Sequence, residues 1–326
     1  MNVRQATSFA LICASVIVLS PTPTQAQTTF PDRTVRIIVP HPAGGSTDVV
    51  TRIVAEKLQS IWGKPVVIEN IVGAAGMTAT AQGAKAAPDG YTMTAIVGTT
   101  TTLLASLKKR IPYDPIRDFE PLVLFGTFPN VLVVRPQLGV KTIAELIDLL
   151  RASPGKYAYA STGYGSSTHI AAEWFKHDTK TDILHVPFTG SSAALPALLG
   201  GHVHLMFDVM ATIWPQVQDG ALLALGVGSP RRVALAPDVP AIAETLPGFD
   251  VSSWIGLALP AGTPADIVNK FAAEIPKFAA TPASKDRAVK GGFVWVASTP
   301  AQFREQLIQD VKFWGDIAAK ANIKPE

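Results

Sequence analysis

Val35-Arg36-Ile37-Ile38-Val39 is a nearly unbroken apolar run that stops at Pro40. A run this short and continuous predicts a strand covered on both faces. Beyond two prolines and two glycines the period changes. Val49, Val50, Ile53, Val54 and Leu58 then fall on one helical face, predicting an amphipathic helix from Ser46 or Thr47 to about Ser60. The alternation continues with a strand over 66–69, an alanine-rich helix over 78–87, a Pro-Asp-Gly turn and a strand over 92–98. This β-α-β-α-β order predicts a parallel sheet with helices on both sides.

Apolar runs at 122–128 and 131–135 flank Pro129-Asn130. Thr142 and Glu145 form a capping box that opens a helix to about Arg151. Strands are predicted over 157–160, 183–186, 203–207 and 222–227, with helices after 161–168 and over 192–199. A second domain of the same class follows from this repeat. Residues 237–247 are proline-rich, and 251–259 are apolar again. Two helices close the chain, from Thr263-Pro264 to about Ala279 and from Thr299-Pro300 to about Ala321, with no evident site.

Residues 1–26 stand apart. Arg4 precedes an apolar stretch, Pro21 and Pro23 break it, and Thr24-Gln25-Ala26 ends on a small residue. This predicts a secretory signal peptide cut near Ala26, too short to span a membrane. Ile12 before Cys13 argues against a lipid anchor. Cys13 is the single cysteine and leaves with the leader, so the mature chain has no thiol for disulfides, nucleophilic catalysis or metal ligation. Of 326 residues 48% are hydrophobic and 16% charged, which places the chain among core-forming proteins rather than disordered or fibrous ones. A net charge of +3 is too small for a nucleic-acid surface.

Two stretches carry candidate chemistry. Ala43-Gly44-Gly45-Ser46-Thr47 joins the first strand to its helix, and Ser161-Thr162-Gly163-Tyr164-Gly165-Ser166-Ser167-Thr168 repeats that grammar in the second domain. A glycine turn before a helix N-terminus is an anion cradle: the first helical N–H groups lack partners, and the helix dipole makes that end positive. Neither turn contains Lys or Arg. In open α/β sheets ligands sit beyond the carboxyl ends of strands, so a cleft between two such turns suits a small carboxylate. Asp48 lies in the first helical turn and reads as structural support with a possible ligand contact. Asp208 ends a strand and reads equally as a helix cap or a cleft residue. His41 stands beside the first turn, and Phe188 has the best claim among the aromatics Tyr164, Phe188 and Trp254 to line a cleft. Nucleophile-elbow and dinucleotide fingerprints are incomplete. His202 and His204 share a strand face without a third ligand, which makes a metal site improbable. A secreted hydrolase using Ser46 or Ser166 is a weaker reading, although His169 is three residues from Ser166.

The chain resembles the Bug family of periplasmic solute-binding proteins, receptors of tripartite tricarboxylate transporters. The matching stretches are 31–40, 42–48, 87–91, Tyr113-Asp114-Pro115 with Asp118-Phe119, His185-Val186-Pro187-Phe188, Leu205-Met206-Phe207-Asp208 and Pro260-Ala261-Gly262-Thr263-Pro264. The resemblance covers the chain from about Phe30 to the last helix. It implies a type II periplasmic-binding-protein-like α/β fold of two Rossmann-like domains around a ligand cleft, joined by a two-segment hinge. The implied division is 27–126 plus 250–326 for one domain and 127–249 for the other. It also implies binding roles for Ala43, Gly44, Gly45, Ser46 and Thr47, for Ser161, Thr162, Gly163, Ser166 and Ser167, and a cleft position for Asp208. Family members often carry an aromatic where His41 stands and a lysine where Thr189 stands, which leaves the ligand open among amino-acid-like acids, di- or tricarboxylates and aromatic acids. The expected function is a monomeric, non-enzymatic periplasmic receptor without a cofactor that delivers its ligand to membrane transporter subunits. The alternative is an orphan or sensory receptor that presents its closed form to a signalling partner.

Overall fold

The computed structural model describes residues 30–320 apart from 108, 109, 165 and 291. The expected leader, its cleavage point and Cys13 lie outside the described residues. The chain begins with β1 (Val35–Val39), α1 (Ser46–Trp62), β2 (Val66–Asn70), α2 (Met77–Ala84) and β3 (Thr92–Val97). A π-helical turn, Thr99–Leu103, leads into α3 (Leu104–Leu107), followed by β4 (Phe119–Phe128). The next stretch is β5 (Asn130–Val134), α4 (Ile143–Ala152), β6 (Ala158–Ser161), α5 (Ser167–Thr179) and β7 (Leu184–Pro187). It continues through α6 (Ser191–Gly200), β8 (Leu205–Val209), α7 (Met210–Gln218) and β9 (Leu223–Val227). The chain ends with β10 (Ser253–Pro260), α8 (Ala265–Ala279), α9 (Pro282–Lys290), β11 (Val294–Trp295) and α10 (Pro300–Lys320).

These elements form two sheets, ordered β11-β4-β10-β3-β1-β2 and β7-β6-β8-β5-β9. β1 reads as an apolar run because both its faces are covered: Val35, Ile37, Ile38 and Val39 are all buried. One face of the first sheet packs on Val50, Val54 and Leu58 of α1 and on Phe271 and Ile275 of α8. The other face carries Trp254 with Phe303 and Leu307 of α10. The second sheet is sandwiched likewise, with Ile147 and Phe175 on one side and Leu198 and Ile213 on the other.

The expected parallel pairing is found for β1 with β2 and β3, and for β6 with β7 and β8. The sheets as wholes are mixed. β10 runs antiparallel to β3 and β4, and β5 runs antiparallel to β8 and β9. The reason is where the chain enters each sheet. Only Pro129 separates β4 from β5, so the chain passes straight into the second sheet and starts β5 beside the end of β8, and it returns to start β10 beside the ends of β4 and β3; a strand that starts where its neighbour ends runs antiparallel to it.

Strand register shows where the two passages lie. Ser253 at the start of β10 pairs with Phe128 at the end of β4, and Ile255 pairs with Val97 at the end of β3. In the second sheet Asn130 at the start of β5 pairs with Val209 at the end of β8. Both passages therefore run from the carboxyl end of β3 to the carboxyl end of β8, and the carboxyl edges of the two parallel sets meet at one boundary. Backbone bonds lace the passages together: Gly228 N donates to Asn130 O at 2.7 Å and Val251 N to Gly228 O at 2.8 Å. The Asn130 side-chain amide donates to Val251 O. α10 straps the two halves, with Phe303 and Leu307 in a core cluster of the first sheet and Trp314 and Ile317 in one of the second.

Candidate functional site

At the carboxyl end of β1, Gly44 takes φ +82°, and a Cβ there would meet nothing within 4 Å. This left-handed turn is cheap only for glycine. It lifts the loop so that α1 begins at Ser46 with Gly45 as N-cap, and glycine offers no side chain to cap with. The first intrahelical bond is Val49 N to Gly45 O at 2.9 Å. The N–H groups of Ser46, Thr47 and Asp48 are thus left uncapped at the positive end of a 17-residue helix.

The loop is held from beneath. Asp48 is buried; its Oδ2 accepts from Gly44 N at 2.9 Å and from Arg52 Nε at 2.8 Å, and its Oδ1 accepts from Asn70 Nδ2 at 2.9 Å. Burial pushes the Asp48 carboxyl up, but the bonds from Arg52, Gly44 and Asn70 outweigh it and hold the group below the usual carboxylate range. Asn70 Nδ2 also reaches His41 O at 3.0 Å. Asp48 is therefore a brace, as its position suggested, and the half-exposed Arg52 is ion-paired with it. His41 Nδ1 lies 2.9 Å from Thr47 Oγ1, and burial lowers the imidazole, favouring its neutral form.

The second turn lies at the carboxyl end of β6. Ser161 is wholly buried, accepts from Gly163 N at 3.2 Å, and has its Oγ 2.6 Å from His185 Nε2. His185 stacks between Tyr159 and His169, with ring centroids at 4.7 and 4.3 Å. Burial pushes this imidazole down to about 4, with His169 adding to the shift. Ser166 is the N-cap of α5: its Oγ accepts from His169 N at 3.2 Å and donates to Gly163 O at 2.7 Å. Thr168 Oγ1 accepts from Thr162 N at 2.9 Å. Ser161, Thr162, Gly163, Ser166 and Thr168 thus form one mutually bonded knot, while Ser167 is buried in the first turn of α5. Ser166 meets the backbone amide of His169 rather than its ring.

Phe188 follows β7, is half-buried, and bonds through its backbone N to Ser161 O at 3.0 Å. Asp208, at the end of β8, is 1% exposed. Its Oδ1 accepts from Ser191 Oγ at 2.9 Å and from Val209 N at 2.8 Å, while its Oδ2 is buried with no partner among the described residues. Burial raises this carboxyl to about 6 against those two donors. The helix-cap reading of Asp208 does not hold: Val209 is the N-cap of α7, and no side chain caps that helix. Asp208 instead ties β8 to Ser191 at the front of α6.

Register places Ala43–Asp48 at the carboxyl end of one parallel set and Ser161, Thr162, Gly163, Ser166, Ser167, Phe188 and Asp208 at the carboxyl ends of the other. His202 and His204 sit in a turn before β8 rather than on a strand, and His204 Nδ1 accepts from Ala158 N at 3.0 Å. The described residues contain no group of three side chains suited to a metal. Sequence reasoning missed Arg52 and Asn70 beneath the first turn, His185 beneath the second and Ser191 beside Asp208. Only Ser191 had a local signal, as a hydroxyl after Gly190 at a helix front.

The family model described as "Tripartite tricarboxylate transporter family receptor" matches residues 50–323. Protein BugT of Bordetella pertussis is 34% identical over 300 residues, covering 91% of each chain. Among solved structures, a protein of R. palustris solved with adipate is 30% identical with a TM-score of 0.82, covering 91% of this chain and 100% of that one. MatC from Rhodopseudomonas palustris, solved with bound malate, is 31% identical with a TM-score of 0.75, covering 88% of this chain and 99% of that one.

Proposed function

The chain belongs to the tripartite tricarboxylate transporter receptor family, the Bug-type periplasmic solute-binding proteins, and from that premise we propose that it captures a small organic carboxylate between its two lobes. The front of α1 carries this reading. Three uncapped amides stand behind Gly44 and Gly45, with open space over Gly44, at the boundary where the two sheets' carboxyl edges meet. Dipoles and N–H donors hold a carboxylate there without a bound cation.

In this reading the lobes comprise 27–126 plus 250–326 and 127–249. The ligand contacts Gly44, Gly45, Ser46 and Thr47 in one lobe and the half-buried rim of the second turn, Thr162, Gly163 and Ser166, in the other. His41, Phe188 and Asp208 shape the pocket. The relatives that hold adipate and malate point to a dicarboxylate as the first class to try. Binding selects the closed arrangement, and the closed receptor delivers its cargo to membrane transporter subunits without chemical change. The chain is exported, cut near Ala26, and acts as a monomer. Isothermal titration of the purified protein with malate, adipate, citrate, glutamate and benzoate tests this. Saturable binding of at least one acid is expected. Heats from a sugar or a metal salt, with none from any acid, would overturn it.

A further inference from the structure

The edge of the second sheet opposite its glycine turn gathers cations. β5 ends where β8 begins, with Val134 paired to Leu205, and Arg135 and His204 are the next residues on the two chains. β6 begins at the same edge: Ala158 N donates to His204 Nδ1 at 3.0 Å, and His204 N donates to Ala158 O at 2.8 Å. Lys156 Nζ lies 5.6 Å from the centroid of the Tyr157 ring, and the His204 imidazole meets the same ring edge-on at 5.1 Å. The Arg135 guanidinium packs on Gly201 and the His202 ring on Gly200. A Cβ at Gly201 would lie 2.3 Å from Arg135 Nη2, and one at Gly200 would lie 3.2 Å from His202 Cδ2.

These donors are not spent inside the protein. Arg135 is half-buried, yet among the described residues its guanidinium has no hydrogen-bond or ion-pair partner. It is not needed to close α6, where Leu198 O already accepts from Gly201 N at 3.1 Å and Ala197 O from His202 N at 2.9 Å. Lys156 is exposed and meets only the Tyr157 ring. Asp182 Oδ2 approaches Gly155, beside Lys156, but forms no ion pair among the described residues. The bond from Ala158 fixes the tautomer of His204. Nδ1 accepts, so the neutral ring carries its proton on Nε2, which has no partner among the described residues. Burial lowers this imidazole, and the charges of Arg135 and Lys156 lower it further.

We propose that this edge is a second binding site, for a phosphate group. A planar carboxylate is gripped by an arginine fork alone. Here the donors come from three strand ends: Arg135 after β5, Lys156 before β6, and His204 before β8. Such a set suits a tetrahedral anion, which has oxygens on every side. Arg135 takes two oxygens with its fork, His204 Nε2–H takes a third, and Lys156 adds charge. Arg135 is held in place by Gly201 and His204 by Ala158, so binding orders little that is not already ordered. The phosphate is free in solution or part of a lipid headgroup. The site lies at the far end of the strands from the carboxylate cleft and does not rest on that reading.

The test uses the full chain in phosphate-free buffer with two probes: inorganic phosphate, read by titration calorimetry, and vesicles of phosphatidylglycerol or phosphatidylcholine, read by flotation. Saturation by phosphate without flotation identifies the free anion. Flotation with phosphatidylglycerol alone, reversed by added phosphate, identifies a headgroup. One of these two results is expected. Arg135→Gln and Lys156→Glu should each weaken that binding by about tenfold or more. Lys156 is exposed, so its variant keeps the fold, which thermal unfolding checks. The front of α1 attracts anions as well, so Gly45→Val is titrated in parallel, and phosphate binding should persist in it. The inference is overturned if neither probe binds, if Gly45→Val abolishes the binding, or if Arg135→Gln or Lys156→Glu leaves it unweakened. Carboxylate binding without phosphate binding removes this site alone, and the converse removes only the cleft.

Discussion

The two glycine- and hydroxyl-rich turns are built alike in sequence and finished differently in space. At the second, Ser166 caps α5, Thr168 holds Thr162, and Ser161 is buried against His185. At the first, the N-cap is glycine, no side chain takes an amide of α1, and the bracing comes from Asp48 beneath the loop. One residue at the N-cap position separates a helix front that satisfies part of itself from one that presents its amides outward. Hydroxyl content alone therefore does not decide whether a helix front keeps unpaired amides; what decides is whether a hydroxyl stands at the N-cap.

The sharpest way to break this contrast is Gly45→Val. Gly45 has φ −72° and ψ 163°, open to any residue, and a Cβ there would meet only Pro42 O at 3.4 Å. The variant should fold normally yet lose carboxylate affinity by about a hundredfold or more. Unchanged affinity by calorimetry would remove the first turn from the site.

Asp48→Ala asks whether the brace matters. It leaves the donors of Gly44 and Asn70 without their acceptor, while the half-exposed Arg52 keeps water and Asn70 Oδ1, so urea denaturation should show a loss of about 1–3 kcal/mol. A loss under about 0.5 kcal/mol, the range of an ordinary surface change, would show the loop needs no such support.

Stability against pH compares two groups of the second sheet, the buried Asp208 and the half-buried His185. Asp208 is raised from 3.8 to about 6, so between these values the folded state binds more protons than the unfolded chain. Its contribution is full below the lower value and is lost as pH rises through the upper. At pH 7 the buried ionised group costs about 2 kcal/mol relative to pH 4, so Asp208→Asn should gain most on wild type at neutral pH. His185 is lowered from 6.5 to about 4, and its contribution has the opposite sign: present above the ordinary imidazole range and lost as pH falls through about 4. His185→Gln should therefore lose its relative disadvantage in acid. Parallel curves for wild type and Asp208→Asn would show that Asp208 is not perturbed by burial.

The smallest effect separates the two caps. Ser166→Ala removes the bond to His169 N and should cost about 1 kcal/mol in thermal or urea unfolding. Ser46→Ala removes no cap and should leave stability within about 0.5 kcal/mol while weakening the ligand. If both variants lost equal stability, the first helix front would not be uncapped.

What the sequence determined by itself were features set by near neighbours. The apolar run of β1, the helical stripe of α1, the glycine turns and the Thr142 cap are dictated by side-chain period and backbone freedom within a few residues, and each stands close to its predicted place. The family resemblance rested on the same local motifs and is borne out by the family match. Tertiary structure decided everything that depends on strands far apart in the chain. The antiparallel entry of β5 and β10 could not be read from alternation, because pairing direction is set by how the chain returns rather than by residue type. His185 lies 24 residues from Ser161, and Asp310 lies 208 residues from Thr102. The last helix seemed featureless for the same reason: Asp310, which accepts from Thr102 and Trp254, and Trp314, in a core cluster of the second sheet, acquire their surroundings only where α10 crosses both sheets. Burial changes what a side chain can do, and burial is a property of the folded surroundings rather than of the residue.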